Sequence, residues 1–96
     1  MVCADEKRAL QSYGEGGNRF CLQDTAAATQ NILLTASSLG LGSCWIGAFR
    51  IDEVRQVVKA PKEIRPVALI PVGYPNEAPV AGQRRLVSEI MHKETF

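Results

Sequence analysis

The chain has 96 residues, of which 46% are hydrophobic and 22% charged, with a net charge of +1. One domain of this size hides roughly 60–65% of its unfolded surface, and the even charge balance gives no support to nucleic-acid or membrane-surface binding. No apolar run approaches the roughly 20 residues of a membrane span and no basic n-region leads an apolar segment, so the expectation is a soluble, cytoplasmic protein.

Met1–Ala4 contains a very short apolar run, VCA, that reads as the end of a strand, and Glu6–Ser12 has room for one or two helical turns. Tyr13–Asn18, YGEGGN, holds three glycines in six residues and is expected to be loop. Phe20–Leu22 then anchors the chain ahead of the main helix, as an apolar residue before an N-cap does. Asp24 is the expected N-cap, its carboxylate accepting from first-turn amides. From Thr25 to Leu39 nothing breaks the helix, and Gly40 or Gly42 closes it with a positive φ.

At about 100° per residue, Ala28, Ile32, Ala36 and Leu39 share one arc of this helix. Ala26 and Leu33 lie on the next arc, and Ala27 and Leu34 on a third. No charge falls between Asp24 and Arg50. A helix apolar on more than one side is buried on more than one side, and a short chain has little second layer to offer. The expected cover is a partner subunit, giving a homodimer through the Asp24–Leu39 helix; the alternative is a central helix buried within its own domain.

Beyond the glycine turn, Ser43–Ile46 is apolar enough for a brief strand, and Gly47 lets the backbone turn or approach something closely. Asp52 is read as the N-cap of a second helix, Glu53–Lys59, ended by Pro61. Val67–Val72, VALIPV, is read as a central, covered strand with Pro71 marking an edge contact or bulge. Gly73–Gly82 is an extended linker, and Leu86–His92 a short amphipathic segment that packs on its own body or on a neighbour.

Cys3, Cys21 and Cys44 share no metal-binding spacing and His92 is the single histidine, so three free, mostly buried thiols are expected rather than a zinc site. Nothing local activates a Cys–His92 pair, and Glu89 and His92 read as surface residues. Gly40–Gly42 follows a helix and precedes a strand, the reverse of a dinucleotide fingerprint. No catalytic side chain and no metal ligand is assigned.

The order of these pieces resembles the C-terminal half of the nitroreductase family, the FMN-dependent NAD(P)H oxidoreductases. The matching pieces are QDTAAATQNILLTASSLGLGSCWIGAF (Gln23–Phe49), VALIPVGYPNEAP (Val67–Pro79) and RRLVSEIMHKETF (Arg84–Phe96), with VCAD (Val2–Asp5) as the preceding strand. GLGSCWIG and IPVGYP are fairly specific together and weak apart. The resemblance implies a truncated version of the family, without the N-terminal half that grips the FMN phosphate and binds the flavin ring edge. It further implies that the loop after the glycine turn lies against the isoalloxazine with a backbone amide facing N5. Gly47 matches that position, with Trp45, Ile46 and Ala48 alongside. Close approach to a flat ring favours a residue without a Cβ, and a backbone donor stabilises charge developing at N5. Basic residues after the GYP linker meet the phosphate in the family, which matches Arg84 or Arg85 through bidentate contact. The bland alternatives are a plain turn glycine at Gly47, core packing at Trp45 and a solvated basic pair at Arg84 and Arg85.

The expectation is therefore one α+β domain over residues 1–96, a small sheet packed on a long central helix in a nitroreductase-like, homodimeric fold. The tail, residues 83–96, is expected to pack on the partner subunit. The implied function is FMN-dependent oxidation of NAD(P)H with electrons passed to a nitroaromatic, quinone or similar small acceptor. In such chemistry the cofactor performs the hard step, so no acid–base triad is required. The rivals are a non-catalytic dimerisation remnant and a flavin-binding relative without reductase activity.

Overall fold

A computed structural model of the chain describes residues 1–95; Phe96, the last residue of the expected tail, lies outside the described residues. Strand β1 (Val2–Asp5) leads directly into α1 (Glu6–Tyr13), where Asp5 caps the helix by accepting from the Arg8 amide at 3.0 Å. A single 3-10 turn at Gly14–Gly16 then connects to α2 (Gly17–Ser38). The remaining elements are β2 (Gly42–Ser43), α3 (Ile51–Val57), β3 (Ile64–Ala68), β4 (Val72–Gly73) and the one-turn α4 (Val87–Ile90). The architecture is mixed helix and sheet around a long central helix, in agreement with the α+β expectation.

The main helix starts seven residues earlier than expected. Asp24 is an interior residue of α2 rather than its cap, Phe20–Leu22 lies within the helix, and of the glycine-rich segment expected to be loop only Gly14–Gly16 lies outside the two α-helices, as the 3-10 turn. Packing overrides composition here. A Cβ on Gly17 would overlap the backbone carbonyl of Ala9, so a glycine that weakens a helix in isolation lets α1 and α2 close on each other. Tyr13 meets Phe20 edge to face at 5.6 Å across the same corner, with Arg19 over the Phe20 ring at 5.5 Å.

The stripe of α2 that this chain itself covers is Gly17, Cys21, Thr29 and Ala36, at spacings of four, eight and seven residues that keep them on one face. All are small, which brings the helix axis close to β1. Thr29 is fully buried and donates its hydroxyl to the Thr25 carbonyl at 2.8 Å, so it is satisfied on its own helix. Of the arc Ala28, Ile32, Ala36 and Leu39, only Ala36 is buried. Ile32, Leu34 and Leu39 are exposed.

β1 pairs antiparallel with β3, and the register steps from Val2 opposite Ala68 to Cys3 opposite Pro66. Val67 is thus the extra residue of a bulge, a setting that also accommodates Pro66 and its missing N–H. The expected single strand over Val67–Val72 is two. β3 ends at Ala68, Leu69 forms an isolated bridge to Ile46, and β4 turns to pair with β2 in a separate two-stranded sheet. Pro71, which cannot donate to a ladder, sits in the interruption. β3 is therefore not a central strand among the described residues, where β1 is its only partner.

α3 begins at Ile51 with Arg50 as its N-cap, so Asp52 lies in its first turn instead of capping it. Asp52 pairs with Arg55 at 2.9 Å, and the Arg55 guanidinium also donates to the Ile64 carbonyl, tying α3 to β3. The helix ends at Val57, before Pro61, with Lys59 in the left-handed region. Of the thiols, Cys21 is buried and Cys3 partly so, while Cys44 is exposed, contrary to expectation. Among the described residues no helix is long and apolar enough to cross a membrane.

The radius of gyration is 17.0 Å, against about 12.5 Å for a compact domain of this length. The accessible surface is 7972 Å², where a compact monomer of this mass exposes roughly 5,400 Å². The uncovered surface lies on α2 outside its narrow buried stripe and on residues 71–95, all of which are exposed.

Candidate functional site

The C-terminal end of α2 is closed by Gly40 at φ 73°, and the Leu41 amide donates to the Ala36 carbonyl at 2.9 Å. This is the left-handed closure expected from the glycine turn. It aims the chain into the β2–β4 pair, where Gly42 opposes Gly73 and Ser43 opposes Val72. A Cβ on Gly42 would stand 3.2 Å from the Pro75 Cβ, so the missing side chain lets the GYP segment lie against the GLG turn. Residues 41–44 and 71–77, with Pro79, line an open cleft of about 780 Å³. Sequence reasoning noticed GLG and GYP separately and missed that they form one wall; the signal was the glycine in each, both without a Cβ at the paired position.

Residues 45–48 leave this cleft as an exposed, uncharged loop. The brief strand expected over Ser43–Ile46 is reduced to Ser43 and an isolated bridge at Ile46. That bridge is reciprocal: the Ile46 amide donates to the Leu69 carbonyl and the Leu69 amide to the Ile46 carbonyl, each at 3.0 Å. It fixes the loop just before Gly47, whose own amide has no hydrogen-bond partner among the described residues. A Cβ on Gly47 would meet only the Trp45 indole, with Nε1 at 3.6 Å and Cδ1 at 3.9 Å. Nothing in this chain therefore demands a glycine at that position. Trp45, for which core packing was the expected role, is 41% exposed, and Ala48 is exposed beside it.

Arg84 and Arg85 lie on the tail. The Arg84 Nη1 donates to the carbonyls of Gly82 and Gln83, both at 3.3 Å. The Arg85 Nη2 donates to the Glu89 carbonyl at 2.8 Å, and its Nε lies 3.6 Å from the Glu89 carboxylate. Both side chains are exposed, and no hydrogen bond or ion pair among the described residues joins them to residues 45–48. Trp45, Ile46, Gly47 and Ala48 thus share one exposed loop, and these bonds of the two arginines stay within the tail. No group of three or more His, Cys, Asp and Glu residues that could hold a metal ion occurs among the described residues.

The model of the nitroreductase family matches residues 1–74, a span that includes the glycine turn, the 45–48 loop and the GY of the GYP segment. The FMN reductase (NADPH) of Bacillus subtilis is 34% identical over 110 residues, a match that covers 100% of this chain and 44% of that protein. The oxygen-insensitive NADPH nitroreductase of Salmonella typhimurium is 32% identical over 104 residues, covering 100% of this chain and 43% of its own length. Among solved structures, B. megaterium NfrA1 superposes with a TM-score of 0.80 at 30% identity, over 99% of this chain and 44% of that one. The chain spans less than half the length of these relatives. The matched segments carry the long helix, its glycine closure and the bridged loop in one order, and the chain belongs to the nitroreductase family.

Proposed function

We propose that this chain forms part of an FMN-dependent NAD(P)H oxidoreductase that reduces nitroaromatic, quinone or similar acceptors. The observation that carries the reading is the Gly47 amide: an unpartnered donor on an uncharged, exposed loop, held in place by the Ile46–Leu69 bridge. The residues present fit a flat ring edge. A ligand approaching Gly47 meets no Cβ and no charged side chain of residues 45–48, and a Cβ there would touch only the Trp45 indole. FMN, when bound, supplies the hydride chemistry. The loop's part is to hold a donor where negative charge develops and to leave room for the ring. Arg84 or Arg85 is proposed to meet the phosphate, since an exposed guanidinium trades weak backbone contacts for a bidentate one.

A second copy of the chain is the proposed partner, covering the exposed Ile32 and Leu39 side of α2 and receiving the tail. What supports it is the surface excess of about 2,500 Å² over a compact monomer, more than the ~800 Å² per partner of a standard interface. Light scattering on the purified chain should give twice the monomer mass; a clean monomer would end this part of the proposal.

The test of the flavin reading is an absorption spectrum after adding FMN and removing the excess. Retained, perturbed flavin bands followed by NAD(P)H oxidation support it. A colourless dimer would instead favour the non-catalytic remnant, and bound FMN without NAD(P)H oxidation a flavin-binding relative.

A further inference from the structure

We infer that the Trp45 indole N–H is a second donor of this site and binds an oxygen of the electron acceptor. The inference rests on the flavin reading above and assigns the acceptor's contact within it. Trp45 is 41% exposed, so part of the side chain is open to an incoming molecule. Its Nε1 is the nearest atom to the place a Gly47 Cβ would occupy, at 3.6 Å. The indole therefore folds back over the residue whose amide is proposed to face the flavin. Its N–H makes no hydrogen bond among the described residues, and neither does the Gly47 amide. Two donors without a partner among the described residues thus share a loop that offers no competing acceptor side chain and no charge.

A pair of neutral donors suits a particular substrate chemistry. Nitroaromatics and quinones arrive neutral and carry oxygens on which negative charge grows as electrons are delivered. A fixed N–H gains most from that change, because it is already oriented when the charge appears. An apolar indole edge beside the donor also favours contact with an aromatic acceptor. Tryptophan's N–H donates only, so the site would discriminate against acceptors that present a donor at the same point. Trp45 is in this sense a specificity-determining residue as well as a wall of the site.

The chain contains a single tryptophan, so its indole N–H gives one cross-peak in a proton–nitrogen correlation spectrum. FMN is added first and its retention read from the visible bands; 4-nitrobenzyl alcohol is then titrated without NAD(P)H, so that nothing is reduced. We expect the nitro compound to move the indole cross-peak beyond any shift caused by FMN. In parallel, Trp45→Phe, compared with the parent at equal FMN occupancy, should bind the nitro compound about three- to tenfold more weakly, the effect of one lost hydrogen bond. An indole that responds to FMN and not to the nitro compound overturns the assignment, because the donor then belongs to the flavin. So does an unmoved indole while the flavin bands report the nitro compound bound, or equal affinity in Trp45→Phe. Failure to retain FMN at the first step overturns the flavin reading itself, and is seen before the nitro compound is added.

Discussion

Two glycines mark two kinds of region in this molecule. At Gly17 the chain closes on itself: α1 and α2 meet so tightly that a Cβ would occupy the space of the Ala9 carbonyl. Around that corner lie the buried Ala4, Ala9 and Cys21. At Gly47 the same absence of a side chain answers to nothing inside the chain. The loop is exposed, the Gly47 amide has no hydrogen-bond partner among the described residues, and the neighbouring tryptophan is partly open to solvent. The first glycine is explained by the fold and the second calls for something outside it. A glycine's role is read from what a Cβ would touch, not from the residue's presence in a motif.

Substitutions sharpen the contrast. Gly17→Val should cost about 3 kcal/mol of stability, because overpacking against backbone has no soft side chain to yield; a shift of the urea midpoint at unchanged slope would measure it. Gly47→Val should leave that midpoint within about 0.5 kcal/mol of the parent, as for a surface change, while weakening FMN binding at least tenfold, or about 1.4 kcal/mol. Equal FMN affinity in this variant would sink the close-approach argument. Gly40→Ala forces a side chain into the left-handed region at φ 73° and should cost about 1–2 kcal/mol, read from the same urea curves. The smallest effect is at the half-exposed ion pair between Arg65 and Glu6, 3.1 Å apart, which ties β3 to α1. Glu6→Gln should lose less than about 1 kcal/mol, and the loss should shrink in high salt.

What was legible in the sequence followed from local rules. The absence of breakers after Thr25 and the positive-φ demand at Gly40 fixed the C-terminal half of α2, and the apolar VCA run marked β1. The start of α2 was illegible because its first turns are held by α1, a contact between residues that no periodicity links. The division of VALIPV into two strands was hidden for a similar reason. Pro71 signalled an irregularity, but the change of partner from β1 to β2 is a property of the tertiary path. The 45–48 loop emerged only through the family resemblance. Its backbone donors have no residue-type signature, since any amide serves, and Trp45 looks like a core residue until its surroundings are known. Arg84 and Arg85 were legible as a basic pair and no further.

The reciprocal Ile46–Leu69 bridge gives the loop a property of its own. Two hydrogen bonds between residues 23 apart act as a latch, in register with the Gly42–Gly73 and Ser43–Val72 pairs but separated from them by the interruption at Pro71. Opening frees both bonds at once, so the Gly47 donor is either presented or lost. For any ligand that needs it, the apparent dissociation constant is the intrinsic one divided by the latched fraction. Hydrogen exchange at the Ile46 and Leu69 amides would read that fraction directly, and a ligand that selects the latched form would slow both exchanges together.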